Sequence, residues 1–343
     1  MKRIGNLYDK ICSMDNLIEA DRKARKNKRR RKEIMLFDQN RDENLQKLRD
    51  TLLKGEFRTS AYKTFTIYEP KERLICRLPY YPDRIVHHAI LNVLEPIWVS
   101  TFTTDSYSCI KKRGIHACAQ SVKKALRKYP DQTTYCLKFD IRKYYPSIHH
   151  DTMKAIVRRK IKDARLLALI DEIIDSYSTL PDEYILSDGC GLPIGNYMSQ
   201  YLANLYLTYF DHWIKEQKGV RFYWRYADDI VILSDDKRYL HELLDDIKEY
   251  LEENLKLHIK PNHQVFPVDA RSIDFVGYRF YHTHTLIRKG IKKRFCRAVA
   301  KLMKHGVTEL KQLKMSLCGW TGWAKYCNSI HLFKTLNIYQ LCS

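Results

Sequence analysis

The feature that most constrains this chain is a pair of adjacent acids set inside an apolar hairpin. Residues 220–226 (VRFYWRY) and 230–234 (IVILS) are rich in aromatic and β-branched residues and read as strands. Ala227-Asp228-Asp229 lies between them. An acidic tight turn is ordinary when taken alone. A further acid, Asp140, sits near the end of another apolar run, residues 133–141 (TTYCLKFDI). Acids that follow buried strand residues are costly unless paired or bound to metal. The helix-rich insertion between the two runs lets neighbouring antiparallel strands present their acids together. Three carboxylates at one point repel each other. Mg2+ relieves that repulsion, because it prefers hard oxygen ligands. Two such ions can activate an attacking hydroxyl and steady a leaving oxygen, which is the chemistry of nucleotide addition.

Charge points to the partner. The 343 residues carry a net charge of +21, and a surplus of that size suits nucleic acid through counterion release. An anionic membrane surface is the alternative. Nine of the eleven residues from Arg22 to Lys32 are Lys or Arg, so Arg22, Lys23, Arg25, Lys28, Arg29, Arg30 and Arg31 are candidate nucleic-acid contacts, against the plainer reading of a solvated helix face. No apolar run reaches the roughly 20 residues of a membrane span, and no signal peptide is expected at the N-terminus. The ten cysteines form no Cys-x-x-Cys pair. They read as reduced thiols in a cytoplasmic protein.

The remaining pattern predicts helices over 14–54, 83–98, 115–128, 150–161, 165–177, 197–215 and 237–254. It predicts an extended hairpin over 60–79 and strands near 256–260 and 273–281. Residues 291–343 read as basic and helical. Their Trp320, Trp323 and Tyr326 are expected to pack in a core rather than face RNA or a partner.

With these residues placed, the chain resembles the reverse transcriptases. Tyr226-Ala227-Asp228-Asp229 is similar to that family's Tyr-x-Asp-Asp box, and Phe139-Asp140-Ile141-Arg142-Lys143-Tyr144-Tyr145-Pro146-Ser147-Ile148 to its first catalytic motif. Arg73, Asp83-Arg84-Ile85-Val86-His87-His88, Lys260 and Phe275-Val276-Gly277-Tyr278 fall in the family's order. The resemblance spans about 60–285. It implies an α+β right-hand polymerase, with a basic helical extension over 1–58, fingers and palm over 59–285 and a helical thumb over 286–343. It implies that Asp140, Asp228 and Asp229 are catalytic and bind two Mg2+ ions, with Mn2+ as a substitute and the Ile141 carbonyl as a further ligand. Lys71 and Arg73 would meet the triphosphate of a deoxynucleotide, and Lys260 the departing pyrophosphate. The Tyr145 ring would block a ribose 2′-hydroxyl.

The segment Leu192-Pro193-Ile194-Gly195-Asn196-Tyr197-Met198-Ser199-Gln200 narrows the resemblance. Most families place Gln before the Gly and Pro after the Ser; this chain has Ile194 and Gln200. That pattern resembles the reverse transcriptases of diversity-generating retroelements, bacterial or phage-encoded. The resemblance implies a template-repeat RNA copied into cDNA with errors opposite adenine. It also implies an accessory variability determinant protein as partner and no membrane. Ile194, Gly195 and Gln200 then become nucleotide-site candidates. The short length fits this branch better than intron-encoded relatives with added domains, and the retron boxes (Asn-Ala-x-x-His and Val-Thr-Gly) are not found. Rival readings are a free-standing intron-type or defence-associated enzyme, or a non-catalytic RNA-binding protein of the same fold.

Overall fold

The computed structural model describes residues 3–68, 72–179 and 189–341. By packing, it forms two units. The first comprises the residues up to Thr103, Arg142–Trp213 and Tyr250–His258. The second comprises Thr104–Ile141, Ile214–Glu249 and the chain from Ile259 onward.

The first unit is mainly helical. Among the described residues, its one hairpin joins β1 (Lys63–Ile67) to β2 (Arg73–Arg77), antiparallel with Lys63 opposite Arg77, within the predicted 60–79. Of the apolar face expected from spacing, the helix Ile85–Val99 buries Ile85, Val86, Ala89, Ile90 and Leu94 completely and Val93 by half. The predicted helical stretch 14–54 is instead three helices, Met14–Ala24, Lys32–Asp38 and Arg41–Lys54. The basic run breaks the first of them. Cations crowded at every turn spacing repel, and Asn27 adopts a left-handed φ of 61°. Most of the basic cluster therefore lies in a turn rather than on a helix face.

The second unit carries two antiparallel sheets. The larger contains β3 (Tyr135–Asp140), β4 (Phe222–Tyr226), β5 (Asp229–Ser234) and β6 (Gln264–Pro267), in the order β4-β5-β3-β6. The smaller holds β7 (Ile273–Phe275), β8 (Tyr278–Phe280) and β9 (Thr285–Ile287), in that order. The helix Ile115–Lys128 has the predicted bounds. The strand expected near 256–260 shrinks to one bridge, Ile259 to Ile141. Pro261 offers no N–H to a ladder, and regular pairing with β3 begins only at Gln264. Trp320, Trp323 and Tyr326 pack partly buried against the core that includes Tyr278, Phe280 and Phe295, as expected.

Alternating antiparallel sheets with segregated helices make the content α+β. Among the described residues, no helix is long and apolar enough to cross a membrane.

Candidate active site

The acids are placed by strand register. β3 pairs antiparallel with β5 so that Asp140 lies opposite Asp229. β4 pairs with β5 so that Tyr226 lies opposite Asp229, leaving Ala227-Asp228 as a two-residue turn. Such tight turns need a positive φ. Ala227 supplies it at 56°, a conformation costing roughly 1–2 kcal/mol for a residue with a Cβ. The turn is held from both sides. The Ile141 N–H donates to the Asp228 carbonyl at 3.3 Å. The Arg225 guanidinium donates to the Ala227 carbonyl at 3.1 Å and to Ser106 Oγ at 3.2 Å.

Arg225 is fully buried within an apolar strand. Sequence reasoning assigned it no role, although a buried arginine inside FYWRY must find acceptors, and that was the available signal.

Two lysines compensate the carboxylates. Lys260 Nζ donates to Asp140 Oδ2 at 3.0 Å, and its backbone N–H donates to the Asp140 carbonyl at 2.8 Å. The side chain of Lys260, the residue expected to meet a departing pyrophosphate, is thus on Asp140. Lys138, which the sequence reading passed over, lies with Nζ 3.4 Å from Asp229 Oδ1. It also donates to the carbonyl of Asp274, the middle residue of β7. Asp229 Oδ1 is buried and meets the Lys138 ammonium at ion-pair distance without a hydrogen bond. Burial pushes the Asp229 carboxyl up to about 7, Asp140 and Asp228 push the same way, and Lys138 opposes them. The three acids are therefore within electrostatic reach of one another.

Among the described residues, no three His, Cys, Asp or Glu side chains converge closely enough to hold a metal as a ready-made cluster. The donor chemistry fits a hard divalent cation, with the carboxylates of Asp228 and Asp229 on the hairpin and that of Asp140 on the neighbouring strand.

The other candidates belong to the first unit. Arg73 is exposed at the start of β2, opposite Ile67. Lys71 lies outside the described residues. Tyr145 is half-buried, its ring edge-on to Tyr144 at 5.8 Å, and its carbonyl accepts from the Leu192 N–H at 2.8 Å. The Ile194 carbonyl accepts from the Cys76 N–H at 2.8 Å. Gly195, at φ 116°, comes so close to β2 that a Cβ there would lie 2.9 Å from Ile75 Cγ2. Gln200 lies on the helix Tyr197–Tyr206.

The basic run divides by partner. Arg22 is paired with Glu19, and Arg25 with Asp21 and Asp38. Lys23 donates to Asn92 Oδ1 at 2.6 Å. Arg25 and Lys23 are tied to neighbouring elements, whereas the Arg22–Glu19 pair is a local one on the exposed helix surface. Arg29, Arg30 and Arg31 are exposed, and Lys28 is half-buried.

A family model described as "Reverse transcriptase (RNA-dependent DNA polymerase)" matches residues 43–280. The chain is 28% identical over 281 residues to Protein YkfC of Escherichia coli (strain K12), covering 71% of each. It is 22% identical over 179 residues to the Group II intron-encoded protein LtrA of Lactococcus lactis subsp. cremoris, covering 52% of this chain and 29% of that protein. Among solved structures, the telomerase from Candida albicans in complex with a TWJ fragment of telomeric RNA matches with a TM-score of 0.51 at 11% identity. That match covers 78% of this chain and 57% of the other, and it is a likeness of fold. The chain thus spans less than a third of LtrA and little more than half of the telomerase chain.

Proposed function

We propose, for a chain that belongs to the reverse transcriptase (RNA-dependent DNA polymerase) family and is by class an RNA-directed DNA polymerase, that it copies a template-repeat RNA into cDNA carrying errors at template adenines. The observation that carries the polymerase reading is the register of Asp140 against Asp229, with Asp228 in the intervening turn.

In this reading, Asp140 and Asp228 hold Mg2+, helped by Asp229 and the Ile141 carbonyl. The bound ions supply charge neutralisation for transfer of a nucleotide to a primer 3′-hydroxyl. The protein's own groups do the positioning. Arg225 and the Ile141 N–H fix the turn that carries Asp228. Lys260 and Lys138 hold the flanking carboxylates in place. Arg73, a planar fork suited to phosphate oxygens, takes the triphosphate, with Lys71 as a second contact. Tyr145 excludes a ribose 2′-hydroxyl, so deoxynucleotides are the substrates. We assign residues 1–58 as an extension, 59–285 as fingers and palm and 286–343 as thumb.

The finer reading rests on Ile194. Its backbone is pinned to β2 through Cys76, so its side chain has a fixed place. Ile has no polar group to offer there. Gln would supply a hydrogen bond whose loss relaxes discrimination by about 1–3 kcal/mol. An accessory variability determinant protein and a cytoplasmic setting complete this reading. The intron-type alternative is favoured by the similarity to LtrA. Primer extension on a defined RNA with Mg2+ and the four deoxynucleotides, followed by sequencing, separates the two. Errors concentrated at template adenines, and reduced in Ile194→Gln, support the diversification reading. Accurate cDNA from the native chain supports the intron-type reading.

A further inference from the structure

Lys138 is the one cation on β3, and strand register sets what it can reach. It lies two residues before Asp140 and so shares that residue's face of the sheet. Its ammonium divides between two acceptors. It donates to the Asp274 carbonyl, and it meets Asp229 Oδ1 at 3.4 Å without a hydrogen bond. The Phe275 ring lies under it, with the centroid 5.9 Å from Nζ, which is a favourable seat for a cation. Lys260 is different, because its ammonium is hydrogen-bonded to the Asp140 carboxylate itself.

The second acceptor is held in place without Lys138. Arg288 Nε takes the Asp274 carboxylate, and the Arg288 N–H donates to the Gly277 carbonyl at 2.9 Å, so the β7–β8 hairpin has its own anchor. Lys138 and Asp140, with Asn262, Gln264 and Ser272, line a cavity of about 240 Å3 beside the ammonium. Lys138 therefore has a berth away from the carboxylate and room to use it. A divalent ion on Asp229 and an ammonium 3.4 Å from the same carboxylate repel strongly, and the repulsion falls with distance. A lysine with Asp229 as its only acceptor would have to be driven into solvent. This one needs only to give up the partner it does not hydrogen-bond.

We propose that Lys138 is the resident counter-cation of Asp229, which withdraws onto the Asp274 carbonyl and the Phe275 ring when a divalent ion takes the carboxylate. Lys138 is then a positioning residue that sets how tightly the acids hold metal. The arrival of a divalent ion rests on the polymerase reading; the pairing of Lys138 with Asp229 and Asp274 does not.

The test is Mn2+ binding to the full chain, without RNA or deoxynucleotides, followed by loss of the free-ion EPR signal. Lys138→Met removes the ammonium and keeps an unbranched stem, and it should bind Mn2+ at least about tenfold more tightly. In EDTA the same variant should unfold at lower urea, and Mn2+ should stabilise it more than it stabilises the native chain. Lys138→Arg keeps the charge and should stay within about threefold of the native affinity. Phe275→Leu takes away the aromatic berth and should weaken Mn2+ binding about threefold, with circular dichroism checking the fold. Arg271→Gln removes a charge from the same cavity, where Arg271 lies over Phe266 at 5.3 Å, and should change the affinity by less than about threefold. Unchanged or weaker binding in Lys138→Met overturns the proposal, as does an equal gain in Lys138→Arg or Arg271→Gln. Native affinity in a folded Phe275→Leu overturns the berth. Primer extension by the native chain, while neither it nor Lys138→Met binds Mn2+, overturns the proposal alone. The Mn2+ gain in a chain that extends no primer sinks the polymerase reading and leaves the counter-cation standing.

Discussion

Replacing Gly277 with alanine tests the seating of the β7–β8 hairpin, whose Asp274 carbonyl receives Lys138 from the active-site strand. The turn is Val276-Gly277, with φ values of 42° and 86°, so both central residues are left-handed, as tight hairpins require. A Cβ on Gly277 would lie 2.5 and 2.7 Å from two ring carbons of Trp323 and 2.9 Å from Ile291 Cδ1. Trp323 has little room to yield. It meets His116 edge-on at 5.3 Å and Tyr278 at 5.2 Å, and its carbonyl accepts from Tyr278 Oη at 3.0 Å. Left-handed strain contributes roughly 1–2 kcal/mol and overpacking roughly 1–3 kcal/mol, for a loss of about 2–5 kcal/mol. Urea unfolding followed by tryptophan fluorescence measures it. Gly290→Ala is the comparator, because nothing lies within 4 Å of its Cβ and its φ is not left-handed. A Gly277→Ala loss under about 1 kcal/mol, or one matching Gly290→Ala, would refute the packing argument.

Two more outcomes follow from buried polar groups. Arg225→Leu leaves the Ala227 carbonyl and Ser106 without the guanidinium, so stability should fall by about 3 kcal/mol. Primer extension should slow more than tenfold in the protein that stays folded, and a variant with native activity would remove Arg225 from the account. The pH prediction concerns His87, whose pKa burial depresses from 6.5 to about 3, with His88 and Arg84 adding to the effect. The unfolded chain binds this proton more readily, so stability is full above the unfolded value and falls as pH drops through the window from 6.5 to about 3. Between pH 7 and pH 5 the histidine should cost about 2 kcal/mol. His87→Gln should remove that part of the pH dependence in urea midpoints, and an unaltered dependence contradicts it.

The acidic hairpin was legible because strand periodicity and a two-residue turn fix register from local sequence alone. The same logic placed Asp140 at a strand end. What escaped were features decided by tertiary partners. Lys138 sits between Leu137 and Phe139 in an apolar strand and reads as a solvent-facing alternate, yet it turns to Asp229 and Asp274. Lys260 was placed by order, but its bond to Asp140 depends on the bridge from Ile259 to Ile141. The short strands β6 and β9 carry too few residues to show a period. The three- and four-residue spacing of Ile34, Phe37, Leu45, Leu48 and Leu52 reads as one helix through the basic run, and only the crowding of that run and Asn27 reveal the turn.

The central claim is that Asp140, Asp228 and Asp229 form a polymerising site on one sheet. Its most direct test is primer extension on a defined RNA template with Mg2+ and the four deoxynucleotides, comparing the native chain with Asp228→Asn and measuring RNA binding in parallel. The account predicts cDNA from the native chain, loss of product by at least about a thousandfold in the variant and unchanged RNA binding. Extension by Asp228→Asn at the native rate would contradict it.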